Sequence, residues 1–211
     1  NHRVKNNLNV IKSLIQLQRN RSGSPDFRDA SDRLLARVFA IARAHDRMFG
    51  ELEPADLDPE EYLRDILAVY DVEAGIGPRF EADIRAEGRR LPAETAIPLG
   101  LILNEAAANA WKYGSRADGA VIRVSLARTG AHWVLEVRDE GPGFDPGEPA
   151  APGKTGSLGV KIIRSLAARL GGRVSWSREG GTRFRLEFPS DADPAFDAGG
   201  SVVAAWPDGR V

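Results

Sequence analysis

The sequence predicts an α+β chain: an N-terminal helical hairpin, half of a four-helix bundle, followed by an α/β sandwich with helices packed on a mixed sheet. Three observations predict it. Apolar residues recur at three-and-four spacing up to Phe49, strands of period two follow Ala120, and a long apolar helix over 94–113 stands between the two patterns.

Residues 3 to 20 place Val4, Leu8, Ile11, Ile15 and Gln18 on one helical stripe, widened by Leu14 and Leu17, while His2, Asn9, Ser13 and Gln16 share the opposite face. Arg21-Ser22-Gly23-Ser24-Pro25 interrupts that helix, and Phe27 to Phe49 is a second periodic stretch through Leu34, Val38, Ile41, His45 and Met48. Two such helices form a hairpin whose apolar stripe calls for a cover: a second hairpin in a homodimer is the usual solution and is expected, and packing on the chain's own following domain or on a further domain outside the sequence would serve equally. A polar segment from Gly50 to Asp58 reads as a linker, which divides the chain into a hairpin over 1–50, a sandwich domain over 51–190 and a tail over 191–211. Within the sandwich, Pro59 to Ala74 reads as an amphipathic helix and Arg79 to Ile84 as a strand. Ile122, Val124 and Leu126 share one strand face, as do Trp133, Leu135 and Val137. Val174 with Trp176, and Phe184, Leu186 and Phe188, complete the series, and Leu158 to Leu170 is a covering helix. The order leaves the sheet antiparallel or mixed.

Composition excludes several functions. The 211 residues carry 29 basic and 30 acidic side chains, so no charge excess favours nucleic acid or a membrane surface. The absence of cysteine removes disulfides, thiolate metal sites and thiol catalysis. No apolar run approaches the roughly 18 residues of a membrane span. The first residue is not Met and a helical pattern is already under way, so a sensor domain or membrane anchor is expected upstream.

Three short motifs carry chemistry. Glu105 and Asn109 stand four apart in Asn104-Glu105-Ala-Ala-Ala-Asn109-Ala-Trp-Lys112-Tyr113 and so project from one helix face. There an amide oxygen can ligate Mg²⁺ and a carboxylate can hold water or accept a proton. Asp139-x-Gly141-x-Gly143 follows a strand, and its glycines let backbone come close to a ligand. Gly156-Ser157-Leu158-Gly159 opens a helix whose first amides can face phosphate oxygens, with Lys154 just before it. The segment between Phe144 and Gly156 is too rich in Pro and Gly for regular structure. Gly153-Lys154-Thr155 is not a P-loop, since Glu148 stands where the first glycine would be needed.

In this order the motifs resemble the N, G1 and G2 boxes of the ATPase superfamily that contains gyrase, Hsp90, histidine kinases and MutL. The start, Asn1-His2-Arg3-Val4-Lys5-Asn6-Asn7-Leu8, resembles the phospho-acceptor helix of the second histidine kinase dimerisation family, and the likeness runs over roughly 1 to 189. The resemblance implies a sensor histidine kinase core that phosphorylates His2 from Mg-ATP and passes the group to an aspartate of a response regulator. It assigns Asn109 to Mg²⁺, Lys112 to the phosphates, Tyr113 to the nucleotide's side, and Asp139, with Gly141 and Gly143, to the adenine amino group. Thr182 helps hold the adenine end, Gly156, Ser157, Leu158 and Gly159 meet the phosphates with Lys154, and residues 144–156 form a short lid. Glu105 matches the general-base position, where it either takes the proton or arranges metal-bound water. Arg3, a cation, follows His2 where the commonest sensor kinases have an acidic residue. His45, on an apolar stripe, reads as a packed histidine, and His132, at a strand start, as a surface one. The catalytic core is expected to be cytoplasmic. The alternative is a phosphotransfer relay module that no longer binds nucleotide; a serine kinase of the anti-sigma type matches only after about residue 59.

Overall fold

The computed structural model describes residues 2–49, 56–71, 78–114, 119–144, 156–178 and 180–190. Lys154 with most of the expected lid, the 191–211 tail and the 50–55 part of the linker lie outside the described residues. No helix among the described residues is long and apolar enough to cross a membrane.

Helices α1 (His2–Arg21) and α2 (Pro25–Phe49) form the N-terminal hairpin. Helix α3 (Pro59–Asp71) begins where Asp58 Oδ1 accepts the backbone N–H groups of Glu60 at 2.8 Å and Glu61 at 3.4 Å, with Pro59 at the first helical position. Strand β1 (Arg79–Ile84), helix α4 (Ala93–Tyr113), strands β2 (Val121–Thr129) and β3 (His132–Arg138), helix α5 (Gly156–Arg169) and strands β4 (Arg173–Arg178) and β5 (Thr182–Pro189) follow. Residues Val72 to Ala74, expected to end α3, fall outside the described residues.

The sheet order is β1-β2-β3-β5-β4, with β1 and β2 parallel and the other pairs antiparallel. The sheet is therefore mixed. Its parallel pair follows from connectivity, since α4 lies between β1 and β2 in the chain, and a crossover helix is the usual way to return a strand in the same direction. Register brings Val124 opposite Val137, Leu126 opposite Leu135, Leu135 opposite Leu186 and Val137 opposite Phe184. These alternating apolar positions thus share one sheet face, covered by α3, α4 and α5. Trp176 sits opposite Phe184, ring centroids 5.4 Å apart, a cross-strand aromatic pair next to the cavity described below.

The other sheet face is largely ionic. Glu136 Oε1 accepts from Arg183 and Arg185, each at 2.7 Å, and Arg123 reaches Glu140 at 2.9 Å. Burial works against the Glu136 charge, but the hydrogen bonds from the two guanidinium groups outweigh it and hold the carboxyl below its usual range.

Helix α2 packs on α4 and α3 in a way its apolar stripe does not predict. Ala40 and Ala44 are fully buried, whereas Leu34 remains 44% exposed. Small residues decide this contact because they let backbone approach: Tyr62 of α3, fully buried, donates its hydroxyl to Ala40 O at 3.1 Å. Burial pushes that hydroxyl well above its usual range. The ring fits only because position 100 of α4 is glycine, where a Cβ would stand 2.3 Å from the Tyr62 hydroxyl oxygen. At the other end of α2, Arg47 pairs with Asp65 at 2.8 Å and with Glu61. On α1, Leu8 and Ile15 are half-buried, but Val4, Ile11 and Gln18 of the expected stripe are exposed.

Gly100→Ala should lose about 1–3 kcal/mol in chemical denaturation, although alanine is the better helix former, because overpacking displaces Tyr62; an unchanged or raised midpoint would contradict the fit. Because the folded Glu136 carboxyl titrates below its unfolded value, its stabilisation is present above the unfolded pKa of about 4.3 and is lost as pH falls through the lower folded value. Glu136→Gln should therefore flatten the acid limb of a stability-against-pH curve, with an effect of no more than about 1 kcal/mol at neutral pH, since both partners are partly exposed.

Candidate nucleotide site

Helix α4 brings the first motif inward. Its residues Leu99, Ile102, Leu103 and Ala107 are fully buried against the sheet and neighbouring helices. Glu105, one helical turn before Asn109, is only 1% exposed, and Asn109 is half-buried. Lys112 and Tyr113 emerge at the helix end, where the Lys112 Nζ lies 5.5 Å from the Tyr113 ring centroid.

Asp139 lies one residue beyond β3. Its backbone N–H donates to Thr182 O at 3.0 Å, while its Oδ1 accepts from the N–H of Gly141 at 2.8 Å and of Thr182 at 3.3 Å. The second motif is thereby tied to the start of β5, with the carboxylate buried and oriented. Two glycines make this closure possible. At Gly181, φ is +140° and a Cβ would stand 1.9 Å from Asp139 O; at Gly141 it would stand 2.7 Å from the Cα of Gly114 at the end of α4. Gly143 also has positive φ, +81°.

Asn109, Tyr113, Asp139 and Thr182 line one cavity of about 50 Å³, walled by apolar side chains including Val137, Ile163, Trp176 and Phe184. A polar rim on an apolar wall is the lining of a small-molecule site, but about 50 Å³ is well below the roughly 300–1,000 Å³ of a ligand pocket, so a flat heterocycle enters only if the cavity widens. The first and second motifs and Thr182 therefore converge, although they come from α4, the β3 end and β5.

The third motif meets the first. Gly159, in the first turns of α5, is buried, and a Cβ there would stand 2.9 Å from Glu105 Oε2 and 3.9 Å from Asn109 Nδ2. Leu158 is 55% exposed. Gly156 and Ser157 open α5. His2 is the first residue of α1. The side chains of His2 and Ser157 are outside what the structure describes. His45 is half-buried and His132 exposed.

Two charged motif residues are engaged by α2 rather than open to the cavity. Glu105 Oε1 accepts from Arg37 Nε at 2.7 Å, and Lys112 Nζ donates to Asp29 Oδ2 at 2.5 Å. Arg33, between them, forms a longer pair with Asp29 at 3.6 Å. Glu105 Oε2 and Arg33 Nη2 are buried and have no hydrogen-bond partner. Tyr70 of α3 donates its hydroxyl to Asn104 O at 3.3 Å, beside the same carboxylate; burial, then the Glu105 charge, push that hydroxyl above its usual range. Sequence reasoning missed Asp29, Arg33 and Arg37, although their spacing of four puts them on one face of α2. Charged residues at that interval read equally well as a solvated face.

Comparison with known proteins agrees with this arrangement. The family described as histidine kinase matches residues 1–70, and the family described as histidine kinase-, DNA gyrase B-, and HSP90-like ATPase matches residues 94–192. The chain is 30% identical over 195 residues to blue-light-activated histidine kinase 2 of Erythrobacter litoralis, covering 89% of this chain and 55% of the relative. It is 31% identical over 196 residues to sensor histidine kinase PdtaS of Mycobacterium tuberculosis, covering 89% of this chain and 38% of that one. The chain thus spans about half or less of the curated relatives it matches. In structure it is similar to the histidine kinase domain of the Erythrobacter litoralis EL346 blue-light activated kinase, with TM-score 0.63 at 22% identity over 86% of this chain and 95% of that one, a likeness of fold. With helical hairpin, mixed sheet and motif order all in agreement, the chain belongs to the histidine kinases, as a core in which a hairpin of the second dimerisation family precedes an ATPase domain of the gyrase and Hsp90 type.

Proposed function

We propose that this chain is the part of a sensor kinase that moves the γ-phosphoryl group of Mg-ATP to His2 and then to an aspartate on a response regulator. The observation that carries the reading is the convergence of Asn109, Asp139 and Thr182 on one apolar-walled cavity. Asp139, oriented by two backbone amides, accepts the exocyclic N–H of adenine, and Thr182 supports the same edge. Gly156, Ser157, Leu158 and Gly159 present the N-terminal amides of α5 to the phosphates, with Lys154 and Lys112 as cations and Tyr113 beside the nucleotide.

The buried, unpartnered Oε2 of Glu105 next to Asn109 fits a polar group supplied from outside the protein. Asn109 would hold Mg²⁺ through its amide oxygen, and the ion would offset phosphate charge there. In the transfer a ring nitrogen of His2 bonds to the γ-phosphorus as the bond to the β-phosphate oxygen breaks, and ADP leaves. The proton on the imidazole must then go to a base, and Glu105 either takes it or orders the water that does. The functional division is a hairpin over 1–50 for dimerisation and phosphotransfer, a nucleotide-binding domain over 51–190 and a tail over 191–211, working in the cytoplasm below an upstream sensor. Support for a homodimer comes from α1, where Val10, Leu14 and Leu17 are 58%, 56% and 47% exposed.

Incubation with labelled Mg-ATP, using a protein extended upstream of His2, should give acid-labile label that is abolished in His2→Gln. Asp139→Asn should lower the rate at least about tenfold, the loss expected for one hydrogen bond to a charged group. Label that persists in His2→Gln, or that survives acid, would overturn the assignment of the acceptor.

A further inference from the structure

We propose that the cleft between the hairpin and helices α3 and α4 is a second ligand site, built for a small organic anion that carries one or two fused aromatic rings. The cleft has a volume of about 590 Å³, within the roughly 300–1,000 Å³ of small-molecule pockets and far larger than the cavity beside Asp139. Four helices contribute to it: Lys12 and Arg19 come from α1, Asp32 and Phe39 from α2, Val69 from α3 and Trp111 from α4. Asn109, Asp139 and Thr182 line the other cavity and not this one. The site therefore lies apart from the proposed place of adenine and does not depend on the nucleotide reading.

The charges of the cleft do not balance. Lys12, Arg19, Arg33 and Lys112 line it together with Asp29 and Asp32, an excess of two positive charges. Both carboxylates are already taken, Asp32 by Arg19 at 3.1 Å and Asp29 by Lys112 at 2.5 Å. Lys12 has no hydrogen bond or ion pair among the described residues, and Arg33, 3.6 Å from Asp29, keeps a buried Nη2 without a partner. Glu105, the further carboxylate on this side of α4, is held by Arg37 at 2.7 Å. A site with spare cationic donors selects an anion.

The apolar lining selects the rest of the ligand. Phe39, Tyr70 and Trp111 bring three aromatic rings to the cleft, the last two with centroids 5.9 Å apart. Phe80, outside the lining, stacks on Trp111 with centroids 6.1 Å apart and 11° between the planes, so the indole is held in place before a ligand arrives. Aromatic surface beside unmatched cations fits an aryl carboxylate, whose rings pack on these side chains while its charge meets those of Lys12 and Arg33.

The probe is 2-naphthoate, with its neutral isostere 2-naphthamide as control. In calorimetric titration of the full 211-residue chain, naphthoate should bind one to one and about fivefold tighter than naphthamide or more, the factor that one partly exposed ion pair supplies. Val69 is 42% exposed on α3, so a substitution there tests charge without disturbing the core. Val69→Glu should weaken naphthoate about fivefold or more while leaving naphthamide within about twofold, and Val69→Lys should hold naphthoate at least as tightly as the parent. In nuclear magnetic resonance spectra the Trp111 indole N–H, assigned by its loss in Trp111→Phe, should shift on adding naphthoate, whereas that of buried Trp133 should not. Equal affinity for naphthoate and naphthamide, or no response to charge at position 69, would overturn the site. A shift at Trp176, which lines the cavity beside Asp139, in place of Trp111 would also overturn it, as would a folded chain that binds no naphthoate at millimolar concentration.

Discussion

Burial of α4 is the constraint on which the rest of the structure depends. One side of the helix meets the mixed sheet, another meets α2 and α3, and its C-terminal half meets the start of α5. Such a helix cannot tilt or slide without opening apolar surface, which fixes where Glu105, Asn109 and Lys112 stand. A site that must place charged groups within tenths of an ångström needs a support of that kind. Glycine and alanine supply the tolerance: Gly100 admits Tyr62, Gly159 admits Glu105, and Ala40 and Ala44 admit the hairpin.

The two ends of the site are held differently. Around Asp139 the restraints are backbone hydrogen bonds and glycines that nothing larger can replace, so this end is set when the sheet forms. Around Glu105 and Lys112 the restraints are side-chain ion pairs to a separate helix: the Lys112–Asp29 pair is partly exposed and exchanges partners at small cost, whereas the Glu105–Arg37 pair is buried and does not. A rigid end at Asp139 and an adjustable pair at Lys112 suit the proposed nucleotide site, in which the base is held while the phosphate end changes partners.

Much of this is legible in the residues. Period-two apolar positions locate each of the described strands, and the run from Glu94 to Tyr113 matches α4 to within one residue, lying between Pro92 and the capping Gly114. The parallel pairing of β1 with β2 is open at the level of sequence because strand direction is a property of connection, which only the path of α4 decides. Packing of the hairpin on the chain's own following domain is one of the covers the sequence leaves open, but the positions of α2 that make the contact are not legible. Its buried positions are alanines, which carry little hydrophobic signal, and its docking charges, Asp29, Arg33 and Arg37, look like any solvated stripe. Lys112, expected at the phosphates, pairs in this structure with Asp29, a residue 83 positions away whose partner no local pattern names. The exposed Val10, Leu14 and Leu17 show the converse, an apolar signal present in the sequence that a single chain does not bury.

The central claim is that Asp139 reads adenine at the rigid end of the site. Calorimetric titration of the wild-type chain with non-hydrolysable analogues of ATP and GTP tests it most directly. Guanine carries a carbonyl where adenine carries the amino group proposed to donate to Asp139, so the ATP analogue should bind in a Mg²⁺-dependent way and the GTP analogue should be rejected. Equal affinity for the two bases, or no binding of either by a folded chain, would contradict the account.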